Sequence, residues 1–417
     1  MTNEHASLRV DRARLLDRIF SLAEVGAIEG GGVCRLALTD EDKAGRDLVV
    51  AWMRDLSLDV QIDAIGNVIA VREGRDPALA PVMTGSHIDT VRTGGKYDGN
   101  YGVLAGLEVL ETLAAANITT ERSIAVAFFT DEEGARFHPD MMGSLVYAGG
   151  MSVEEALDLP GIDGTRLGDE LNRIGYAGPS PCPGIVPHAF VELHVEQGPV
   201  LEAEGITIGV VERVQGISWQ EVIVTGQSNH AGTTPMRLRH DAGYAAALLA
   251  VRVREIVGSA GGDQVGTVGS IQLHPDLVNV VAARAVLTMD LRNTDNDALS
   301  RVERDVATAM QEIAEAEGVT ITSRSTARFE PVEFDPRIIN LVEVVAHDQG
   351  NTLRRMPSGA GHDAQMIART CPAAMIFVPS VKGLSHNVAE FTEAADLEAG
   401  ANVLLHVLFT LANESSP

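Results

Sequence analysis

The sequence predicts an α/β protein with a mostly parallel sheet, interrupted by a smaller α+β domain of the ferredoxin type. Three observations carry this. Short apolar strands alternate with helical segments from about residue 58 to 195 and again after Pro331, the pattern of strands joined by helical crossovers. Between these stretches, from near Glu212, the strands lengthen and run strand-helix-strand-strand-helix-strand, which is complete as a split βαβ unit. The chain has 417 residues, room for two or three domains at about 150 residues each. The expected division is a first domain of residues 1–212 and 330–417 and an inserted domain of 213–329.

The elements follow in order. Leu15, Leu16, Ile19, Phe20 and Leu22 recur at helical spacing within Leu8–Val25. A second helix spans about Asp42–Leu56, with Thr39 or Asp40 available as its N-cap. Leu58–Asp63 and Val68–Arg72 read as strands joined by the turn signal Gly66-Asn67. Pro81–Thr84 is a short strand, Tyr101–Ala115 a helix, and Ser123–Thr130 and Ala189–Val195 are buried strands. Residues 150–187 hold short helices and a Pro/Gly-rich stretch. In the insertion, Ile217–Thr225, Val265–Leu273, Arg284–Arg292 and Val319–Ser325 are strands, with helices near Asp241–Ile256 and Ala298–Ala316. A helix near Ile338–His347, the strand Ala373–Val378 and a closing helix Asp396–Leu411 return to the first domain.

Composition narrows the function classes. There are 32 basic against 58 acidic residues, a net charge of −26, which disfavours nucleic acid and anionic membrane as partners. Hydrophobic residues at 45% and charged residues at 22% exclude a disordered chain. Apolar runs such as Ile124–Phe129 and Ala245–Val251 are far shorter than the ~20 residues of a membrane helix. The amino-terminal residues show no apolar export segment. Cys34, Cys182 and Cys371 are few and widely spaced, so no disulfide framework is implied and the expected compartment is a reducing cytoplasm.

Chemistry-bearing residues fall behind the apolar strands. His87 and Asp89 lie in TGSHIDT, Asp98 in GGKYDGNYG, Glu132 and Glu133 in FFTDEEGARF, His194 and Glu196 in VELHVEQGP, and His386 in VPSVKGLSHN. Side chains at the carboxyl ends of parallel strands face the crevice where open α/β sheets bind ligands. Histidine and carboxylate together are the ligand types that zinc and its divalent relatives accept. His87, His194, His386, Glu133 and an Asp98 using both oxygens would supply the six contacts of an ion pair, leaving Glu132 free to take a proton from water. Asp89, two residues past His87, suits an acceptor that fixes the imidazole tautomer. Each residue also has a plainer reading: a structural histidine at a strand end, Asp98-Gly99 as a turn, Glu132-Glu133 as the first turn of a helix. Their joint occurrence, each behind a strand, favours metal.

The strings GSHIDTVRTGGKYDGNYGVLAG, FFTDEEGARF, ELHVEQGPVLE, NHAGTTPM, PSGAGHDAQ and GLSHN run in order from about residue 84 to 390. They resemble the metal-dependent amidohydrolases of the hydantoinase/carbamoylase type, which include N-carbamoyl-L-amino acid hydrolases, β-ureidopropionases and allantoate amidohydrolases within the M20 metallopeptidase clan. The resemblance implies a metallopeptidase-like catalytic domain holding two divalent ions (zinc, or manganese, cobalt or nickel) on His87, Asp98, Glu133, His194 and His386, with Asp98 as the bridge. Glu132 would be the general base and then the acid for the leaving amine. The insertion would be a lid that builds a homodimer. His230, whose plainer reading is a loop histidine capping the helix near Asp241, would reach the neighbouring subunit's site and stabilise the oxyanion. Asn279 and Arg292 match residues that hold the substrate carboxylate, a task a planar guanidinium suits; a solvated strand end is the plainer reading of Arg292. Gln197 and the backbone of Gly361 resemble further substrate contacts. Two departures stand near substrate-facing segments: Val388 where proline is common, and Ser218 where relatives often carry arginine.

The expected activity is hydrolysis of a linear amide or ureido C–N bond beside a carboxylate, first of an N-carbamoyl-L-amino acid. Allantoate amidohydrolase and β-ureidopropionase are the alternatives, and a catalytically silent metal-binding dimer is the rival from outside enzymology.

Overall fold

The computed structural model describes residues 7–414, which divide into two compact units, one running up to Glu212 and resuming at Glu333, the other Arg213–Val332. The first unit is built on a sheet that runs, from one edge, through Asp59–Ile62, Val68–Arg72, Ile124–Phe129, Val82–His87, Ala189–Val195, Ala373–Val378 and Ile208–Val214. The four central strands, from Ile124–Phe129 to Ala373–Val378, are mutually parallel. Every residue in them is buried, which is why they read as continuous apolar runs rather than alternating ones.

Toward the edges the expectation of a mostly parallel sheet is corrected. Asp59–Ile62 and Val68–Arg72 form a hairpin that joins Ile124–Phe129 antiparallel, and Ile208–Val214 joins Ala373–Val378 antiparallel. The connection of residues 63–67 is too short for a parallel crossover, so the strands flanking Gly66-Asn67 had to pair antiparallel. The sheet is therefore mixed, with a parallel centre. Among the strands not foreseen, Ile208–Val214 and Leu353–Ser358 pair with each other. Leu353–Ser358 reads LRRMPS and has no apolar period; its pairing partner, not its composition, makes it a strand.

Helices Asn100–Ala115 and Ala394–Ala412 pack on the central strands, and the short helices Met142–Tyr147 and Asp363–Ile367 adjoin the same strands near the site. Ala394–Ala412 is long and apolar enough to cross a membrane, but 61% of it is buried inside the unit, as expected for a core helix wedged among strands and other helices. Cys34, Cys182 and Cys371 are free thiols.

The second unit has a four-stranded antiparallel sheet in the order Thr320–Phe329, Gly216–Thr225, Arg284–Asn293, Val265–His274. In chain order that is fourth, first, third, second, with helices Ala242–Ala260 and Asn296–Glu317 as the two crossovers. Arg284–Asn293 alternates between core and open faces, and its inward set, Ala285, Leu287, Met289 and Leu291, packs with Ala246, Leu249, Val253, Val302 and Val306 of the helices. Asp241 and Asp295 cap these helices by accepting backbone N–H groups of the first turn. The edge strand Val265–His274 leaves Val265, Ile271 and Leu273 exposed.

Candidate metal centre

Strand register brings the first ligands together. Val82–His87 pairs with Ala189–Val195 through Thr84 and Val191; three residues further along both strands, the rings of His87 and His194 stand with centroids 6.0 Å apart. His87 is the last residue of its strand, which runs three residues beyond the expected Pro81–Thr84. Each imidazole is fixed from behind by a carbonyl. His87 Nδ1 donates to the Asp89 backbone oxygen at 3.0 Å, and His194 Nδ1 to that of Val195 at 2.8 Å. A carbonyl can only accept, so both rings carry the proton on Nδ1 and turn Nε2 toward the crevice.

Asp89 does fix the His87 tautomer, but through its main chain. Its carboxylate instead accepts the backbone N–H groups of Glu132 and Glu133, both at 3.3 Å, and so shapes the acidic loop. That loop is not a first helical turn: helix Met142–Tyr147 begins well beyond it.

Asp98 sits between the ligands. Its Oδ1 lies 3.2 Å from His194 Nε2 and 3.7 Å from His87 Nε2. Its Oδ2 lies 3.7 Å from His386 Nε2 and accepts from Gln197 Nε2 and Ser385 Oγ, each at 2.9 Å. His386 Nε2 is also 3.2 Å from Glu133 Oε2. Gly99 follows with φ 66°, and a Cβ there would come within 2.4 Å of the His87 ring, so only glycine lets this turn close on the imidazole.

The donors therefore gather into two sets, His87–Asp98–His194 and Asp98–Glu133–His386, each with ligand atoms within 4.8 Å of one another and Asp98 in both. Glu132 belongs to neither; its Oε2 lies 3.4 Å from His87 Nε2. A third gathering, Glu192–His194–His362, lies behind His194: Glu192 accepts from Ser86 Oγ and the Ala364 N–H, both at 2.7 Å, and the His362 ring packs edge-on to His194 at 4.5 Å. Gln197 and His386 hold left-handed backbone, with φ of 58° and 53°, as do Asp131 and Met141 beside them. Such clusters of non-glycine strain belong to sites that the surrounding structure over-determines.

The electrostatics are those of a cation site. Burial, then the charges of Asp363, Glu133, Asp89 and Glu192, hold the Glu132 carboxyl well above the ordinary range. Burial opposes a proton on His194, but Asp98 and Glu192 outweigh it and lift the imidazole to about 9. His386 is likewise lifted to about 9 by its Glu133 hydrogen bond, against a smaller opposing effect of burial. At His87 burial wins and the value falls. Buried carboxylates that draw protons onto neighbouring imidazoles are short of positive charge, and divalent cations would relieve it. The donor set fits a pair of such ions.

Gly361 stands next to His362, and a Cβ there would meet the flexible end of Met141 at 2.8 Å. His362 Nε2 and Ser358 Oγ are hydrogen-bonded at 3.0 Å, a local support for the same loop. In the second unit, His230 and Asn279 are neighbours: Asn229–His230 pairs with Val280–Val281, and the Ala231 N–H donates to the Asn279 carbonyl. His230 does not cap the helix after Asp241. Its Nδ1 accepts from the Gly232 and Thr233 N–H groups at 3.1 and 3.2 Å, which leaves the proton on Nε2. Arg292 is held by Asp290, which accepts from its Nε and Nη2, rather than being a solvated strand end.

Ser385, Glu192 and Glu390 were not singled out from the sequence. Glu192 was within reach, because residues two apart on a strand share a face and His194 was already a candidate. Ser385 stands next to His386 in GLSHN, but nothing in its spacing marks it.

A parallel-sheet crevice carrying two ligand sets around one shared aspartate defines a candidate metal-dependent hydrolase. Residues 83–410 match the family described as Peptidase family M20/M25/M40. The chain is 39% identical to an N-carbamoyl-L-amino-acid amidohydrolase of Rhizobium meliloti over 97% of each chain, and 34% identical to a ureidoglycolate hydrolase of Arabidopsis thaliana over 98% of this chain and 88% of that one. The crystal structure of an amidase of the hydantoinase/carbamoylase family from Burkholderia multivorans superposes with a TM-score of 0.94 at 45% identity, covering 98% of this chain and 100% of that one. The chain belongs to the M20 peptidase family, in its hydantoinase/carbamoylase branch of C–N hydrolases.

Proposed function

We propose that this protein hydrolyses an N-carbamoyl-L-amino acid, with water, to the L-amino acid, carbon dioxide and ammonia. The observation that carries the reading is the pair of ligand sets sharing Asp98, with Glu132 left outside both. His87 and His194 with Asp98 would hold one ion, Glu133 and His386 with Asp98 the other. When bound, such ions polarise the carbonyl and make water a nucleophile near neutrality.

The chain's own groups do the rest. Glu132 takes the proton of the attacking water at Oε2 and returns it to the leaving nitrogen, a role that its raised carboxyl supports. His230 offers a neutral Nε2–H, the donor that an oxyanion needs, to the site of a partner subunit. Arg292 with Asn279 holds the substrate carboxylate, with Gln197 and the Gly361 backbone lining the ureido end. The insertion serves as lid and dimer interface; the unpaired, partly apolar edge of Val265–His274 supports the second role, since such an edge invites a partner strand. The chemistry of these donors suits zinc, manganese, cobalt and nickel alike. A second reading, a ureido acid such as ureidoglycolate, is favoured by the Arabidopsis relative.

The test is ammonia release from a panel of N-carbamoyl-L-amino acids, 3-ureidopropionate, allantoate and ureidoglycolate, with and without chelator. Chelator-sensitive release that is fastest on carbamoyl amino acids is expected. Absence of release from every member would leave a silent metal-binding scaffold.

A further inference from the structure

One short segment holds the shared aspartate at two points, its side chain and its backbone. Ser385 Oγ donates to Asp98 Oδ2 at 2.9 Å, and Thr93 Oγ1 donates to the His386 carbonyl at 3.3 Å. Four positions after His386, Glu390 turns inward and accepts the backbone N–H groups of both Tyr97 and Asp98 on the single oxygen Oε1, at 2.9 and 3.2 Å. Glu390 is 5% exposed; among the described residues no basic side chain pairs with it in a salt bridge, and Oε2 has no hydrogen-bond partner. A buried carboxylate without a cation is costly, so its presence asks for a use. The backbone offers one: fixing the N–H of residues 97 and 98 fixes the peptide from which the Asp98 side chain springs. The space is shaped to match, because a Cβ at Gly95 would fall 2.2 Å from the Glu390 carboxyl.

We propose that Glu390 is a positioning residue for the second ligand set: by holding the Tyr97–Asp98 backbone from the same segment that carries His386, it sets Asp98 Oδ2 and His386 Nε2 at the separation an ion requires. The proposal rests on the two-ion reading above. His87 and His194 are anchored independently by carbonyls, so two of the first set's three ligands do not depend on Glu390, whereas the second set takes both Asp98 and His386 from the backbone it braces. What Glu390 supplies is acceptor geometry, which glutamine retains and leucine lacks.

The experiment is titration of chelator-stripped full-length protein with Co²⁺ by calorimetry and by visible absorption, for wild type, Glu390→Gln, Glu390→Leu and Gly95→Ala, with His386→Ala as a reference. Wild type should take two ions per chain, and Glu390→Gln should hold both within about threefold. Glu390→Leu and Gly95→Ala should keep the first ion and weaken the second by about 10–100-fold, as loss of a ligand's support typically does. The proposal is overturned if Glu390→Leu and Gly95→Ala bind the second ion like wild type. It is overturned also if Glu390→Gln is as weak as Glu390→Leu, or if both ions are lost together, which would make Glu390 a general prop. Wild type taking fewer than two ions overturns the underlying two-ion reading, a result distinct from each of these.

Discussion

The two ligand sets share Asp98 but are built differently. His87 and His194 end adjacent parallel strands, their side chains almost wholly buried, each ring locked by a main-chain carbonyl. Glu133 and His386 come from loops; the His386 side chain is 51% exposed and its backbone left-handed. Even Asp98 is divided, with Oδ1 facing the strand-borne set and Oδ2 the loop-borne one. Preorganised ligands lose little freedom on binding, whereas loop ligands must be ordered. The strand-borne set should therefore fill first and empty last.

Glu132 stands outside the comparison and so tests it most sharply. Glu132→Gln should leave ion content in both sets unchanged while turnover falls by a factor on the order of a thousand or more, read by metal analysis alongside ammonia release. Near-normal turnover would take Glu132 out of the proposed chemistry. Next in size are the ligands. His194→Ala removes an atom that faces Oδ1 and should cost both ions and about a hundredfold or more in activity. His386→Ala should retain one tightly held ion. Equal stoichiometry in the two variants would erase the distinction between strand and loop.

Protons give a smaller effect. In the ion-free protein the Glu133 hydrogen bond outweighs burial and lifts His386 to about 9, so below that pH an ion must displace a proton from Nε2. The sign follows: the loop-borne set should bind Co²⁺ more weakly as pH falls, by about tenfold per unit for each proton displaced between about pH 8 and 6.5. Replacing His386 should flatten that dependence. An affinity that is independent of pH in wild type would mean that no proton is displaced there.

The same contrast explains what the sequence disclosed. The strand-borne ligands announce themselves because apolar runs such as VMTGSH and AFVELHV place a histidine at a carboxyl end, where sheet geometry dictates the crevice. The ferredoxin-type order of the insertion was legible for a similar reason, since four long strands and two capped helices carry strong periodic signals. What stayed hidden depends on the path of the main chain. Asp89 acts on His87 through its carbonyl, Gln197 reaches Asp98 only because its φ is positive, and Leu353–Ser358 becomes a strand only beside its partner. The antiparallel edges escaped because apolar content reports burial and not strand direction.

The smallest predicted effect isolates one oxygen. Asp98 Oδ2 accepts from both Gln197 Nε2 and Ser385 Oγ, and these two donors keep the carboxylate turned toward His386. Ser385→Ala removes one of them and leaves Oδ1, His87 and His194 untouched. One hydrogen bond to a charged acceptor amounts to about 1.5 kcal/mol at the lower end, and Gln197 still holds the oxygen, so the loop-borne ion should weaken by roughly tenfold while the strand-borne ion holds its affinity. Two resolved Co²⁺ affinities in Ser385→Ala decide the matter. A parallel weakening of both would show that Asp98 moves as a rigid whole, and the division of its two oxygens between strand and loop would then carry no energetic meaning.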